Sequence, residues 1–203
     1  MAWDEALLEL TDCPVLRFYG WEGCWASVGI RFDLEALPQE IGPEFSVVKR
    51  ITGGGIVYHD RDATFTLIVP EGDELGSLGT RHVYEWVHGA LARVLTLFKG
   101  APHRLVGAQE TLDGDACFQA PALHDVRNEL GEKVAGGAQR RAKTGFMHQG
   151  SLITKGVGED FWLQLARELS EEVVVWQPDQ KIASRAIELV ARRYELPEWS
   201  RRV

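Results

Sequence analysis

The clearest pattern along the chain is helical. From about Thr80 to Phe98, Val83, Val87, Ala90, Leu91, Val94, Leu95 and Phe98 return every three or four positions, which predicts an amphipathic helix with one buried face. Trp3, Leu7 and Leu8 predict a shorter helix over 3–10 that stops before Pro14. Two closing helices are predicted near 159–170 (Phe161, Trp162, Leu165, Leu169) and 181–194 (Ile182, Ala186, Leu189, Val190). Extended runs fall at 15–19, 25–30, 46–51, 56–58 and 64–69, with Pro70 expected to stop the last. Between Arg104 and Thr154 there is no long helical period, and glycines interrupt short β-prone pieces, so strands and functional loops are expected. Strands come in runs rather than alternating with helices. The expected class is therefore α+β, a mixed and largely antiparallel sheet flanked by helices.

Composition narrows the picture. The 203 residues are 45% hydrophobic, enough for one sizeable core, and no linker or repeat interrupts them, so a single domain over 1–203 is expected. No apolar run approaches the roughly 20 residues of a membrane span, and Met1-Ala2-Trp3-Asp4-Glu5 is unlike a signal peptide. Cys13, Cys24 and Cys117 are an odd number without metal-type spacing, so no metal site and a reducing cytoplasm are expected. Seven tryptophans suggest apolar cavity walls, although ordinary core packing would also use them. The net charge of −8 argues against a nucleic-acid partner. Charge is uneven, however: no acid occurs between Lys133 and Gly158, where Lys133, Arg140, Arg141, Lys143 and Lys155 stand. That basic island is a candidate anion site, and a solvated loop is its plain alternative.

Four segments carry candidate chemistry. In Arg50-Ile51-Thr52-Gly53-Gly54-Gly55-Ile56-Val57-Tyr58-His59-Asp60, three glycines let backbone approach a ligand, Arg50 offers a partner for phosphate or carboxylate, and His59 can orient one. On its own this stretch reads equally as a glycine-rich hairpin, and it lacks the Gly-Lys-Ser/Thr ending of a P-loop. Lys133-Val134-Ala135-Gly136-Gly137-Ala138-Gln139-Arg140 sets one lysine beside small residues, suited to an oxyanion or phosphoryl group, or alternatively forms a turn with an exposed lysine. Cys117 is a buried core thiol by default and a nucleophile if a cation lies beside it. His148-Gln149-Gly150-Ser151 leads into a strand. No GxSxG elbow and no HExxH motif is present.

In this order the four segments resemble the lipoate-protein ligase and octanoyltransferase family, the lipoyl half of the biotin/lipoyl protein ligase superfamily. The matching patterns are R-x-[ST]-G-G-G-x-V-x-H-D at 50–60, K-[IV]-[AS]-G-[SG]-A-Q-R at 133–140 and H-[HQ]-G-[ST]-[IL] at 148–152, with residues 1–8 as the opening helix. The biotin-ligase loop G-R-G-R-x-G-R has no counterpart at 52–58.

The resemblance implies a catalytic domain that holds a medium-chain acyl group in an apolar tunnel with the glycine loop as one wall. It implies catalytic roles for Lys133, against the acyl carbonyl, and for Cys117. It implies substrate contacts from Arg50, Gly53, Gly54, Gly55, Ile56, Val57, His59, Asp60, Gly136, Gly137, Ala138, Gln139, His148, Gly150 and Ser151. A transferase of this kind takes octanoate from octanoyl-acyl carrier protein, passes it to a lysine of a lipoyl domain and needs no cofactor. A ligase instead uses ATP and Mg2+ to make an acyl-adenylate from lipoate. A binding module without turnover is a third possibility. The ending soon after the last helix, the Arg61-Asp62-Ala63 that follows His59-Asp60, and Cys117-Phe118 with Pro121 and Asp125 favour the transferase. Gly53-Gly54-Gly55, where such transferases carry Gly-Gly-Arg, leaves the ligase open. Relatives also carry a strand before the first helix, so Met1 is expected to mark a shortened start.

Overall fold

In the computed structural model, which describes residues 1–35, 37, 41–111, 122–153 and 157–203, the long apolar period is the central helix of an α+β fold. The chain runs α1 (Ala2–Leu10), β1 (Val15–Tyr19), β2 (Trp25–Val28), β3 (Ser46–Lys49), β4 (Val57–Tyr58), β5 (Asp62–Pro70), α2 (Thr80–Lys99), β6 (Arg104–Leu105), β7 (Val126–Arg127), β8 (Lys133–Ala142), β9 (Gly145–Ile153), α3 (Glu159–Leu169), α4 (Gln180–Leu189) and β10 (Ser200–Arg201). The strands divide between two sheets. The larger has the antiparallel order β1-β5-β9-β8-β7-β6, and the smaller has the order β10-β3-β2-β4, with β2 and β3 parallel.

Strand alternation sorts the larger sheet into two faces. Phe65, Leu67 and Val69 of β5, with Phe146 and Leu152 of β9, meet Val83, Val87, Leu91 and Leu95 of α2 and Phe161, Trp162 and Leu165 of α3. Ile68 and Met147, one residue out of step, meet Ala6, Leu7 and Leu8 of α1 and Ile182, Ala186 and Leu189 of α4. Phe65, Phe146 and Phe161 are fully buried, and truncating any one to alanine is expected to cost about 3–5 kcal/mol. Helix ends follow their local chemistry. Gly100 closes α2 at φ 66, where a side chain would be strained, and the Asp179 carboxylate accepts the Ile182 N–H at the start of α4.

Several expectations are corrected. Pro70 is the last residue of β5 rather than the first beyond it, because a strand end does not need its missing N–H. Residues 136–138 lie inside β8 and form no turn, since their partners 149–151 continue the ladder with β9. No described tryptophan lines the cleft in front of the glycine loop, and most follow the core-packing alternative. Trp162 belongs to the α2–α3 core, and Trp3, Trp21, Trp25, Trp86 and Trp199 pack at core margins. No described helix is long and apolar enough to cross a membrane.

Candidate functional site

The glycine loop leaves β3 and returns as β4, and Arg50 holds its shape from inside. The Arg50 side chain is buried; Nε and Nη2 donate to the Gly53 carbonyl (3.2 and 2.9 Å), Nη2 also to the Gly55 carbonyl (2.8 Å), and Nη1 to Ser27 O and Oγ (3.0 and 3.2 Å). A buried guanidinium must be hydrogen-bonded, and here the loop's own carbonyls serve. Gly29, just past β2, lets the loop come close: a Cβ there would stand 2.2 Å from Gly54 O. Gly54 itself has φ 92. His59 sits between Ser27 Oγ and Asp62 Oδ2, 2.8 Å from each, with its ring stacked on Trp21. Burial lowers its pKa, and the neighbouring carboxylate opposes that shift. Thr52 Oγ1 donates to Gln149 Oε1 (2.7 Å), whose Nε2 donates to Asp4 on α1 (2.8 Å). The loop is thereby fastened to three elements.

In front of it lies a cleft of about 610 Å³, lined by Ile30, Phe32, Ile51, Gly53, Gly54, Gln139 and Arg140, among others. The larger sheet contributes through residues 139 and 140 of β8, and the rest of the lining comes from the segments that follow β2 and β3. Lys133 is not among the lining residues. Its side chain runs back over Gly136, which along a strand is about 10 Å from residue 139.

At the start of β8, Lys133 Nζ lies 2.8 Å from Asp125 Oδ2, with both side chains more than nine-tenths buried. The same oxygen accepts the Ala122 N–H at 2.6 Å. Gly136 makes room for the pair. A Cβ there would come within 2.9 Å of Lys133 Cε and 3.0 Å of Asp125 Oδ1. Gly137 does the same on the opposite face, where its absent Cβ would stand 2.5 Å from His148 Nε2. His148 is fully buried and pairs with His88 of α2, Nε2 to Nε2 at 3.0 Å. His88 Nδ1 in turn meets the His124 carbonyl at 2.7 Å. Burial pushes the pKa of both rings down, that of His148 well below the usual range, so both are neutral near pH 7. The Tyr84 ring meets both imidazoles edge-on, and its hydroxyl donates to Gly137 O.

The sequence-predicted residues therefore fall into groups. Arg50, His59 and His148 brace backbone and neighbouring side chains. Gly150 accommodates the Phe65 ring, 2.2 Å from where its Cβ would be. Ser151 donates to Asp62. Asp60 is at the surface beside Arg61 (3.2 Å). Ile56 packs against the small-sheet core, and Val57 pairs with Ser27. Ala138 pairs with Gln149 across the ladder, and both amide atoms of Gln139 are buried without a partner. Cys117 and Lys155 lie outside the described residues. The basic island is not one patch: Arg140 donates to Ile51 O on the loop side, while Arg141 reaches Gly76 and Leu78 on the α2 side, because strand neighbours point to opposite faces. Sequence reading missed Gly29, Tyr84 and His88. A glycine inside a strand-like run, and polar residues at 84 and 88 in step with apolar Leu91 and Leu95, were the available signals.

The lipoyl protein ligase A/B catalytic domain model matches residues 1–193. Octanoyltransferase LipM of Moorella thermoacetica is 32% identical over 179 residues, which are 81% of this chain and 64% of that protein. The chain thus spans less than two thirds of that relative's length. Among solved structures, a lipoate-protein ligase A bound with ATP superposes with a TM-score of 0.77 at 20% identity, covering 98% of this chain and 91% of the other. A bi-partite lipoate protein ligase of Thermoplasma acidophilum, described with its E2 lipoyl domain, gives a TM-score of 0.75 at 21% identity, covering 98% and 89%. At these identities the structures establish the shared fold.

Proposed function

We propose that this chain, which belongs to the lipoyl protein ligase A/B catalytic-domain family, carries an octanoyltransferase activity that moves an octanoyl group from acyl carrier protein to a lysine of a lipoyl domain. The observation that carries the reading is the buried Lys133–Asp125 pair folded over Gly136, in a chain whose curated relatives are octanoyltransferases. The pair gives the ammonium a fixed direction, and the missing side chain at Gly136 leaves space beside it. The organism's E2-type lipoyl domains are natural acceptors, since a relative of the same fold is described with one.

The chemistry needs two transfers and no ATP. The Cys117 thiolate attacks the octanoyl thioester carbonyl, a tetrahedral oxyanion forms, and the carrier's thiolate leaves and is protonated. The acceptor lysine, as a free amine, then attacks the Cys117 thioester. The amide forms, the amine proton is lost, and the Cys117 thiol is regenerated. In both steps Lys133 faces the developing oxyanion, helped by those N–H groups of 136–138 that point away from β9. A thiol nucleophile of this kind needs a reducing compartment, so the reaction is placed in the cytoplasm.

Incubation with octanoyl-acyl carrier protein followed by peptide mass spectrometry is expected to find the octanoyl group on Cys117. Full turnover by Cys117→Ala would overturn the route. The ATP-dependent alternative asks Lys133 and Arg50 to lie near an adenylate phosphate, and the Arg50 N–H groups are engaged by Gly53, Gly55 and Ser27. Lipoate-dependent pyrophosphate release that survives Cys117→Ala would nonetheless establish the ligase.

A further inference from the structure

We infer that His88 is a positioning residue for Lys133, acting through the His124 peptide and Asp125, and that Nδ1 is the atom that does so. The inference rests on the reading of Lys133 given above.

A carbonyl oxygen only accepts, so His88 Nδ1, 2.7 Å from His124 O, carries the hydrogen. In a neutral ring Nε2 is then bare, and it accepts from the N–H at His148 Nε2, 3.0 Å away. His148 Nδ1 is left without a hydrogen, and that atom is the one buried with no partner. One carbonyl thus fixes the tautomers of both rings.

The peptide that His88 holds is unusual. His124 has φ 67, the one positive φ outside glycine among the described residues, in a conformation that disfavours a Cβ-bearing residue. Its N–H goes to Val106 O (3.0 Å), and the Val106 N–H returns to Asp125 O (2.7 Å). The Asp125 N–H bonds Ala122 O (3.0 Å), and the Ala122 N–H bonds the Asp125 carboxylate. The corner 122–125 is therefore closed by three backbone bonds, by the Asp125 carboxylate and by His88. Its last residue bears the carboxylate that directs Lys133. Without the Nδ1–H donor, His124 O is buried and unpaired, and the corner relaxes from its left-handed turn. Asp125 then loses the orientation that aims the ammonium.

Two near-isosteric variants separate this role from packing. Asparagine places an N–H near the Nδ1 position, and glutamine places one near Nε2. His88→Asn is expected to keep octanoyl transfer within about threefold of wild type, whereas His88→Gln and His88→Phe lower kcat by about 10- to 100-fold with KM little changed. Hydrogen exchange over residues 122–127 is expected to quicken in His88→Gln and His88→Phe but not in His88→Asn, at matched melting temperatures. Equal behaviour of the asparagine and glutamine variants, or losses that simply follow melting temperature, would overturn the inference. Lys133→Ala is the control. If it retains turnover, the reading of Lys133 fails, and if it is inactive while both His88 variants match wild type, the positioning role fails. Should no variant turn over octanoyl-acyl carrier protein, the exchange result alone decides whether Nδ1 holds the corner.

Discussion

The glycine loop and the opening of β8 each bury a cation against glycine backbone, and they use it in opposite ways. Arg50 distributes its N–H groups over carbonyls of the segment it belongs to and of the neighbouring strand, so it sets the loop's shape. Lys133 meets a carboxylate brought from another strand's approach, and that carboxylate is aimed by a corner held from α2. On the proposed reading the loop is a wall whose contour is fixed. The β8 end holds a point charge whose direction is set by a chain of contacts, an arrangement suited to the proposed acyl transfer.

The strongest way to break this contrast is at the two cations. Arg50→Ala removes the donors that hold the Ser27, Gly53 and Gly55 carbonyls in one arrangement, and is expected to cost about 3–5 kcal/mol of stability by urea unfolding. Wild-type stability combined with lost substrate affinity would make Arg50 a ligand contact instead. Lys133→Ala is expected to lower kcat by about 10²- to 10³-fold, as for loss of one oxyanion donor. It also strands the Asp125 charge in the interior, which costs stability in its own right. The double variant Lys133→Met with Asp125→Asn removes both charges, so it should regain most of that stability and none of the activity. Recovery of activity in the double variant would show the lysine to be a structural cation like Arg50.

How far the sequence anticipates this depends on the range of the interaction. The α2 period and the run at 15–19 are local patterns, and each reappears in the fold. The α+β class follows from them. Long-range features were illegible. Nothing in residues 25–58 announces that β2 pairs parallel with β3 in a second sheet, or that Gly29 lies under Gly54. His88 was hidden because a histidine on an apolar helix face reads as a satisfied core residue. It is one, but its partner is the peptide next to Asp125. Arg50 shows the same limit, since a charged residue before glycines suggests a ligand contact and gives no sign of the bonds it makes to the glycine carbonyls.

Two glycines sharpen the comparison at smaller effect. In Gly29→Ala the new methyl meets the Gly54 carbonyl at 2.2 Å, a backbone atom that can yield only by moving the loop, and about 1–3 kcal/mol of stability should be lost. In Gly136→Ala the methyl meets Lys133 Cε and Nζ at 2.9 and 3.1 Å and Asp125 Oδ1 at 3.0 Å, all side-chain ends and no backbone. Stability should then change by less than about 1 kcal/mol, while kcat falls because the ammonium is displaced. Melting temperature and turnover measured on both variants separate wall from reactive centre, and equal profiles would erase the distinction.

The mildest test is acid. His59, His88 and His148 all have pKa values lowered chiefly by burial. The unfolded chain therefore takes up protons near pH 6.5 that the folded one refuses, and stability is full above that pH and declines as pH falls below it. Each histidine contributes a slope of at most about 1.4 kcal/mol per pH unit. The two regions should differ in their shares. The Asp62 carboxylate beside His59 favours its charged form and softens that site's slope, whereas His148 faces a second imidazole and is lowered further. Urea unfolding at pH 7, 6 and 5.5 should show a flatter acid decline in His148→Gln than in His59→Gln, by a few tenths of a kcal/mol per unit. A steeper share from His59 would mean that the glycine loop, rather than the β8 face, is the more tightly desolvated of the two.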